Sequence, residues 1–450
     1  MPPPRVGRRK AMPIAARLIA GLAGLVLCGT LLLMLPVSAA KEPLHFNQAC
    51  FTAVSALATT GLSIITPGAD LSRFGQIVLL LLMQIGGIGF MVGSVLVFRL
   101  IGRRVTLPER LALRDTLGGI SAGSAIQLAQ YVVLGVLGLE AIGAVLLWLS
   151  WAPSLGPGLA AYMAIWHSVS ALTNSSFDLF SGGRDAPAGF PLDAFTLLVI
   201  SGLVIAGSMG IPVISDLLTW WRARRHRLSL HTRLTLITAG LLLFLGTLAL
   251  FIGFSLPGTL FHDQPWQRRL LMSFVHSASA RTSGFVLVPM AETSESNIMV
   301  LTILMFIGGS PASMGGGITT STLAVLFLTL LSSIRGRAAV EAGRRTLPRE
   351  TVIKAVAIMA AGATFVLTIT WLLLLTQQAT LQEALFEATS AFATCGFTLG
   401  LTPRLDGFGQ LLIGCAMFAG RLGVLTLVVG LARETSPDPL SYPEEKILIG

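Results

Sequence analysis

Eight long stretches of this chain are apolar and, with one exception, free of Asp, Glu, Lys and Arg. A helix of about 20 apolar residues crosses a hydrocarbon core about 30 Å thick. Soluble domains carry roughly 25% charged residues, whereas 12% of these residues are charged and 53% are hydrophobic. We therefore expect an all-α polytopic membrane protein with eight transmembrane helices. The stretches are 18–40, 74–98, 116–139, 194–215, 234–262, 296–334, 355–382 and, interrupted by Arg421, 407–432.

The sixth stretch, 296–334, is far longer than a membrane-spanning helix needs to be. It contains the sequence GGSPASMGGG at 308–317. Glycine and proline both disfavour the interior of a helix. The sequence therefore predicts two half-helices joined by a loop inside the membrane.

The formal net charge of +10 comes from basic residues that cluster between the apolar stretches. Connections rich in Lys and Arg lie on the cytoplasmic side of a membrane. Between consecutive clusters lie two strong spans and one weaker segment, so the weaker segment must enter and leave on the outer side, and both termini are cytoplasmic. The clusters are Arg5–Arg17, Arg99–Arg114, Arg222–Arg233, Arg335–Lys354 and the pair Arg433 and Lys446.

The four weaker segments resemble one another and indicate an internal repeat. They are SALATTGLS (55–63), SALTNSSFD (170–178), SASARTSGF (277–285) and SAFATCGFT (390–398). Their reference positions, Gly61, Ser176, Gly284 and Gly396, recur at intervals of about 112 residues, which is typical of a repeated structural unit. Each unit is predicted to be a helix, a re-entrant pore loop and a second helix, and four units in parallel can surround one pseudo-fourfold pore. We place the repeats at 14–101, 116–219, 233–334 (with a broken second helix) and 352–432, and cytoplasmic tails at 1–13 and 433–450.

Each segment carries chemistry suited to a dehydrated monovalent cation. A ring of carbonyl oxygens can replace the hydration shell of an ion, and glycine allows backbone angles that aim successive carbonyls the same way. Small hydroxyl residues add oxygen ligands, a bulky residue after the reference position can wedge the loop, and no segment has the His and Cys content of a transition-metal site. The candidate filter residues are Thr59, Thr60, Gly61, Leu62, Asn174, Ser175, Ser176, Phe177, Thr282, Ser283, Gly284, Phe285, Thr394, Cys395, Gly396 and Phe397.

Small-residue stretches of this kind also mediate helix packing in membrane proteins. For a single copy, packing is the better interpretation. Four copies at even spacing, each in a segment that the charge pattern makes re-entrant, favour an ion filter.

With these motifs, the chain resembles the Trk/Ktr/HKT superfamily of potassium and sodium transporters, in particular its KtrB-type ion-translocating subunits. The resemblance covers residues from about 14 to 432. Beyond the filter segments, it rests on QIGGIGFM (84–91), MFIGGSPASMGGG (305–317) and FAGRLGVLTL (418–427). It implies channel-like potassium uptake across a bacterial inner membrane, a homodimer of pores, and a cytosolic regulatory ring of nucleotide-binding RCK/KTN subunits similar to KtrA or TrkA.

Two departures from the family pattern bear on function. Ser176 stands where the family's second filter glycine is expected. In the plant branch, a serine at a filter glycine of the first repeat accompanies sodium preference, so the choice between K⁺ and Na⁺ stays open. Family members often carry a lysine shortly after the GGGI stretch, where this chain has Thr319, Thr320 and Ser321, and this weakens inferences about regulatory detail.

By the same resemblance, the loop in the sixth stretch is an intramembrane gate beneath the filter. The alternative is a helix kink that only relieves packing. Arg421 is the basic residue well inside a strong span, and a lone arginine at the bilayer centre costs at least about 2.5–3.5 kcal/mol. We expect it to contact the loop and raise the barrier to cations, whereas the alternative is a packing arginine satisfied by helix carbonyls. The candidate gate residues are Gly308, Gly309, Ser310, Gly315, Gly316, Gly317 and Arg421.

Three other charged residues lie near the filter segments or within a span. Arg281 directly precedes the third filter segment and, as the family's matching arginine suggests, is expected to point behind the filter and brace it. Glu387, on the fourth pore helix, could brace the filter from behind. Glu140, in the third strong span, is expected to be a structural hydrogen-bond partner.

The leading prediction is a non-enzymatic potassium uptake subunit without a cofactor of its own. The transported ion is K⁺, and Na⁺ is the second candidate. One positive charge moving inward down 100 mV releases about 2.3 kcal/mol, and GGGITTST lacks the Gly-Lys-Ser/Thr of a phosphate-binding loop. The alternatives are a Na⁺ or non-selective monovalent cation transporter, an alternating-access carrier and an intramembrane enzyme. Parallel repeats disfavour the carrier, and the lack of paired acids disfavours the enzyme. A secretory signal at the N-terminus is a further alternative, although its apolar region exceeds the usual length of about 7–15 residues.

Overall fold

The computed structural model describes residues 14–89, 122–183, 189–222, 227–259, 261–285, 290–337, 339–342 and 345–423. Within these residues the chain is mostly helical, as the sequence predicts. The two predicted tails lie outside the described residues, as do the inner ends of three predicted repeats, at 90–101, 116–121 and 424–432.

Fifteen α-helices and one small hairpin follow one another in the described residues. The helices are α1 (Ile14–Met34), α2 (Phe46–Leu57), α3 (Pro67–Asp70), α4 (Arg73–Ile88), α5 (Ala122–Leu155), α6 (Pro157–Leu172), α7 (Ala194–Ser208), α8 (Ile211–Arg222), α9 (Leu230–Ser255), α10 (Trp266–Ala280), α11 (Glu295–Phe306), α12 (Thr320–Ile334), α13 (Arg349–Thr376), α14 (Leu381–Phe392) and α15 (Gly407–Leu422). The antiparallel strands β1 (Glu341–Ala342) and β2 (Arg345–Thr346) pair Glu341 with Thr346 and Ala342 with Arg345.

The helices recur in one order four times along the chain. Each copy has a first helix (α1, α5, α9, α13), a shorter helix that we call the pore helix (α2, α6, α10, α14), a filter segment, and a second helix (α4, α7, α11, α15). In the described residues, α5, α9 and α13 are long and apolar enough to cross a membrane, and α7 with α8 would be a fourth span if the bent pair is counted as one. The full count of eight spans stays a prediction.

The first helices present apolar side chains outward. Leu134 on α5, Phe244 on α9 and Leu367 on α13 are 65%, 66% and 62% exposed. Large exposed apolar surfaces are unusual on soluble monomers and mark contact with lipid or protein. These surfaces are consistent with a multi-pass membrane protein.

Polar side chains fix the starts of three second helices. Ser72, Asp193 and Asp406 precede α4, α7 and α15, and a side-chain oxygen of each accepts a hydrogen bond from the backbone N–H three residues later. Such caps satisfy N–H groups that the first turn of a helix leaves unpaired. The hydrogen bond from the Gly409 N–H, and to a lesser extent the one from the Gln377 side chain, holds the pKa of Asp406 below its ordinary value.

In three repeats, a glycine of the second helix lies against the last residue of the pore helix. An added Cβ would come within 1.9–2.3 Å of that residue's carbonyl oxygen, so only glycine fits. This contact sets the second helix directly beside the end of the pore helix. The pairs are Gly86 with Leu57, Gly207 with Leu172 and Gly420 with Phe392.

Outside repeat 3, all three second helices end inside their predicted apolar stretches, α7 at Ser208. α4 ends at Ile88, where Gly89 has a φ of 86°, and α15 ends at Leu422, where Gly423 has a φ of 79°. A positive φ cannot continue a right-handed helix. In the described residues, helix interruption is thus not confined to the third repeat.

Candidate functional site

The pore helices of repeats 1, 2 and 4 end in the same turn. The second residue after each helix has a positive φ, with values of 52° at Thr59, 57° at Asn174 and 48° at Thr394. Residues other than glycine seldom adopt such angles. The next backbone N–H then bonds, at 2.8–2.9 Å, to a serine carbonyl five residues back. These pairs are Thr60 with Ser55, Ser175 with Ser170, and Cys395 with Ser390, while in repeat 3 Ser283 and Gly284 both bond to the Ser279 carbonyl.

The four reference positions converge. All have positive φ: Gly61 86°, Ser176 50°, Gly284 60° and Gly396 103°. An added Cβ on Gly61 would lie 2.3 Å from the Ser175 carbonyl oxygen. The corresponding distances are 2.3 Å from Gly284 to the Cys395 oxygen and 2.1 Å from Gly396 to the Thr60 oxygen. The structure therefore brings backbone carbonyls and reference positions of all four predicted filter segments together.

The residue after each reference position is buried. Leu62, Phe177, Phe285 and Phe397 are at most 2% exposed, and Phe285 and Phe397 contact the rings of Phe190 and His276. These four side chains thus pack in the interior of the protein, and their role as a wedge stays a prediction.

Ser176 is the one reference position that is not glycine. Its hydroxyl lies among the backbone carbonyls of the neighbouring repeats. Its Oγ donates to the Thr60 carbonyl oxygen at 3.2 Å and lies 3.4 Å from the Cys395 carbonyl oxygen. An added Cβ on Gly396 would lie 2.5 Å from the same Oγ. The hydroxyl thus bridges repeats 1, 2 and 4.

Several predicted filter hydroxyls are buried and bond to nothing else in the described residues. They are the side-chain oxygens of Thr60, Thr282 and Ser283. A buried polar group normally has a hydrogen-bond partner. These three oxygens are therefore exceptions to that rule in the described residues.

Two pore helices are tied to the loop that follows the filter. In repeat 2, His167 lies between acceptors, with Nδ1 2.8 Å from the Met163 carbonyl oxygen and Nε2 3.0 Å from Asp178 Oδ1. In repeat 4, the fully buried carboxylate of Glu387 accepts a hydrogen bond from the Thr402 hydroxyl. Glu387 thus ties the fourth pore helix to the segment that follows the filter residues, and its bracing role stays a prediction.

The gating loop, predicted at 308–317, is the segment 307–319 between α11 and α12 in the structure. Its ends pair through Ile307 and Ile318, and Thr320 N–H bonds to the Gly309 carbonyl. Further hydrogen bonds join the loop to repeats 1, 2 and 4. They include Thr59 Oγ1 to the Met314 oxygen (3.0 Å), Ser310 N–H to the Ser208 oxygen (3.1 Å), Met314 N–H to the Gly207 oxygen (3.1 Å) and Gly316 N–H to Thr394 Oγ1 (2.9 Å).

Arg421 contacts this loop, as the sequence predicts. Its Nη1 donates to the Met314 carbonyl oxygen at 2.6 Å, and its Nη2 donates to the carbonyl oxygen of Gly86 in α4. In the described part of the chain, the partners recorded for the guanidinium are backbone carbonyls rather than carboxylates. Among the described residues, the positive charge of Arg421 is therefore held at the loop by backbone carbonyls.

Arg281 and Glu140 lie away from the ring of reference positions. Arg281 donates through Nη1 to the Ala239 carbonyl of α9 at 3.3 Å, so its side chain extends toward the first helix of its own repeat. Glu140 accepts a hydrogen bond from Gln84 at 3.0 Å, as expected of a structural partner. Among the described residues, no group of three His, Cys, Asp or Glu side chains could hold a metal ion.

Sequence reasoning missed two features of this site. The first is the early end of α4, α7 and α15, although Gly89, Pro212 and Gly423 mark it. The second is that the hydroxyls of Thr59 and Thr394 bond to the gating loop. No local pattern could reveal this second feature, because the partners are far apart along the chain.

Comparisons with known proteins agree with this geometry. The TrkH family, described as cation transport protein, matches residues 24–440. The Ktr system potassium uptake protein B of Vibrio alginolyticus is 36% identical over 431 residues, which are 95% of this chain and 93% of that protein. The potassium/sodium uptake protein NtpJ of Enterococcus hirae is 31% identical over 451 residues, with 98% of each chain covered.

A solved structure has the same fold. The crystal structure of the potassium transporter TrkH from Vibrio parahaemolyticus matches with a TM-score of 0.73 and 19% identity, and the match covers 96% of this chain and 87% of that one. The resemblance that the motifs predict is thereby confirmed at the level of family and fold.

Proposed function

Because this chain belongs to the TrkH family of cation transport proteins, we propose that it is a potassium uptake subunit that passes K⁺ through a channel-like, carbonyl-lined filter. The observation that carries the proposal is the convergence of four equivalent segments, in which the Thr60, Ser175 and Cys395 carbonyls approach reference positions of other repeats. Carbonyl rings of this kind replace the water around an ion.

The pore helices favour a cation at this point. Each ends beside its filter segment, so its C-terminus, which carries a partial negative charge of roughly half an elementary charge, lies near the ring. The buried hydroxyls of Thr60, Thr282 and Ser283 add oxygen atoms without formal charge. Such a site compensates a monovalent ion for lost hydration and still lets it leave.

Transport then needs no chemical reaction in this chain. Moving one positive charge across 100 mV releases about 2.3 kcal/mol, so a pore that opens on demand can accumulate K⁺. We propose a non-enzymatic translocation step in which the membrane potential supplies the driving force.

The gating loop is the proposed barrier. Its hydrogen bonds to repeats 1, 2 and 4 hold it beneath the filter, and Arg421 adds a positive charge against the same loop. A cation leaving the filter inward meets both the backbone of the loop and this charge. Opening therefore requires the loop to break these bonds and move aside.

Sodium is the second candidate substrate, on the evidence of Ser176. Its hydroxyl donates to the Thr60 carbonyl oxygen, which narrows the ring and engages an oxygen that would otherwise bind K⁺. A smaller ring suits a smaller ion under the fit view of selectivity. The relative named a potassium/sodium uptake protein supports testing both ions.

The architecture and partners follow the family expectation. We propose eight membrane spans and four re-entrant pore loops, both termini in the cytoplasm of a bacterial cell, and a homodimer. We also propose control by a cytosolic nucleotide-binding ring, since this chain has no nucleotide-binding motif of its own. An alternating-access carrier remains the competing mechanism, and the parallel order of the repeats argues against it.

Growth and uptake measurements test the proposal. A bacterium that lacks its own potassium uptake systems should grow at low potassium when it expresses this chain with a regulatory ring, and purified chain in vesicles should take up Rb⁺ down a potential. Failure of both, with folded protein in the membrane, would contradict potassium uptake. Saturable counterflow that requires ions on both sides would favour the carrier instead.

A further inference from the structure

The second helix of repeat 2 breaks beside the gating loop. Pro212 has no N–H, so the carbonyl of Ser208 cannot receive the helical hydrogen bond from four residues later. Instead it accepts the N–H of Ser310, and the preceding carbonyl, of Gly207, accepts the N–H of Met314. The break in repeat 2 therefore supplies two of the acceptors that hold the gating loop.

Gly210 makes the contact at this break still closer. An added Cβ on Gly210 would lie 1.9 Å from the Pro311 carbonyl oxygen. The backbone between α7 and α8 thus packs directly on the loop. A shift of α8 relative to α7 would move the acceptors that the loop uses.

The helix after the break turns sharply and exposes aromatic side chains. α8 is bent by 103° from α7. If α7 runs along the membrane normal, α8 therefore lies nearly parallel to the plane of the bilayer. At its C-terminal end, Trp220 is 49% exposed, Trp221 is 77% exposed and Leu218 is 46% exposed. Tryptophan is enriched at the boundary between hydrocarbon and headgroups, and amphipathic helices lie in that boundary.

Exposed basic residues lie next to this helix. Asp216 of α8 accepts a hydrogen bond from the Ser229 N–H at 2.8 Å, which ties the start of α9 to α8. Arg227 and Arg233 flank Ser229 in sequence, and both are exposed. Together, Leu218, Trp220, Trp221, Arg227 and Arg233 form what we call the α8 surface.

The chemistry of the α8 surface matches an anionic membrane. Two tryptophans and a leucine suit the acyl boundary, and the arginines suit the phosphate groups of anionic lipids, which attract basic residues at the cytoplasmic leaflet. The neighbouring helix α9, which contacts α8, also exposes apolar side chains. A soluble acidic partner would satisfy the arginines but would leave the tryptophans without an apolar environment.

We propose that the α8 surface binds the anionic headgroup layer of the inner leaflet and that this contact stabilises the closed gating loop through the carbonyls of Gly207 and Ser208. The proposal rests on the proposed gated pore. A ligand shifts an equilibrium toward the arrangement that it binds better. In the structure, the gating loop is bonded to the break that precedes α8. Anionic lipid that binds α8 in this position therefore favours the closed loop and lowers basal flux.

The test uses the purified full chain in vesicles without a cytosolic partner. Rb⁺ uptake is compared between vesicles of phosphatidylcholine and vesicles of phosphatidylcholine with phosphatidylglycerol. We expect several-fold lower basal uptake in the anionic vesicles. The double variants Trp220→Ala/Trp221→Ala and Arg227→Gln/Arg233→Gln should each reduce that difference, whereas Phe244→Ala, on the exposed face of α9, should preserve it.

A second measurement reports the contact itself. Brominated lipid quenches nearby tryptophan fluorescence, so wild-type protein should lose more fluorescence than the Trp220→Phe/Trp221→Phe variant, and more in anionic than in neutral vesicles. Equal quenching of the two proteins would overturn the membrane contact. Lipid-independent uptake, or a difference that appears only when a cytosolic partner is added, would overturn the role of lipid.

The same experiment separates this inference from the proposed function. If neither the wild type nor Arg421→Ala takes up Rb⁺ in any vesicle, the proposed pore is wrong. If Arg421→Ala takes up Rb⁺ and the lipid composition has no effect on wild-type uptake, the pore stands and the lipid contact is rejected.

Discussion

The Ser176 hydroxyl of repeat 2 donates a hydrogen bond to the carbonyl oxygen of Thr60 in repeat 1, at 3.2 Å. This contact joins two filter segments through a side chain at a position where the other repeats have glycine. It also places a hydroxyl group against a carbonyl of the proposed filter. Selectivity should therefore depend on this one residue.

Replacing Ser176 with glycine should raise the ratio of potassium to sodium uptake. The change frees the Thr60 carbonyl oxygen and removes a side chain from a residue with a φ of 50°, which glycine adopts readily. Competition uptake of Rb⁺ against K⁺ and Na⁺ measures the ratio. The exposed Ser181→Gly serves as the control, and an unchanged ratio in Ser176→Gly would remove the hydroxyl from the selectivity mechanism.

Replacing Gly61 with serine should lower both the uptake rate and the potassium-to-sodium ratio. A Cβ at this position would lie 2.0 Å from Ser176 Oγ and 2.3 Å from the Ser175 carbonyl oxygen, and the φ of 86° disfavours any side chain. Gly202→Ala is the matched control, because a Cβ there meets nothing within 4 Å. Normal uptake and selectivity in folded Gly61→Ser protein would place Gly61 outside the filter.

Replacing Arg421 with alanine should raise basal Rb⁺ flux. The guanidinium donates to the Met314 carbonyl oxygen of the gating loop, and a hydrogen bond from a charged group contributes about 1.5–3 kcal/mol. Since about 1.4 kcal/mol is a factor of ten in an equilibrium, the open population should rise about tenfold or more. Arg421→Lys keeps the charge but not the two-pronged contact and should give an intermediate flux. A flux that stays level or falls in folded Arg421→Ala would reject the barrier role.

Replacing Thr394 with valine should also raise basal flux, but by less. The change removes the acceptor of the Gly316 N–H and keeps the branched shape of the side chain. A neutral hydrogen bond contributes about 0.5–1.5 kcal/mol, which corresponds to a rise of roughly two- to tenfold. The exposed Thr368→Val on α13 is the control, and equal flux in both variants would show that the Thr394 hydroxyl does not restrain the loop.

Replacing Glu140 with glutamine should preserve both folding and uptake. One oxygen of Glu140 accepts a hydrogen bond from Gln84, and the other oxygens of the two side chains have no partner in the described residues. A neutral amide at 140 can exchange two hydrogen bonds with the amide of Gln84. Glu140→Ala leaves that amide unpaired and should lower stability by about 1–3 kcal/mol, measured by thermal unfolding in detergent. Loss of uptake in stable Glu140→Gln protein would show that the acid has a role in transport.

The four filter segments could be found from sequence because their chemistry is local. Each needs a serine on the pore helix, a short turn and a small reference residue, and this pattern recurs at even spacing. The glycine-rich break before Thr319 was equally visible, since so many glycines in ten residues exclude a continuous helix. The positions Gly61, Gly284 and Gly396 follow from such local rules.

The early ends of α4, α7 and α15 could not be predicted from the uncharged stretches. The absence of charge indicates that a segment is compatible with lipid, but it does not show that the helix is continuous. Pro212 and the glycines at 89 and 423 carried the missing information. The contact of Ser176 with Thr60 was beyond local reasoning, because it depends on the approach of two repeats. The bond between Thr394 and Gly316 has the same cause.

Because the four repeats belong to one polypeptide, each repeat can carry residues that the other three lack. In a pore of four identical subunits, any such serine, gating loop or arginine would occur four times. In the residues that the structure describes, the hydroxyl of Ser176, the loop from Ile307 to Thr319 and the guanidinium of Arg421 each stand in one repeat without a counterpart in the other three. Under the proposed mechanism, substitutions at Ser176 should therefore change ion preference without changing closure, and substitutions at Arg421 should change closure without changing ion preference.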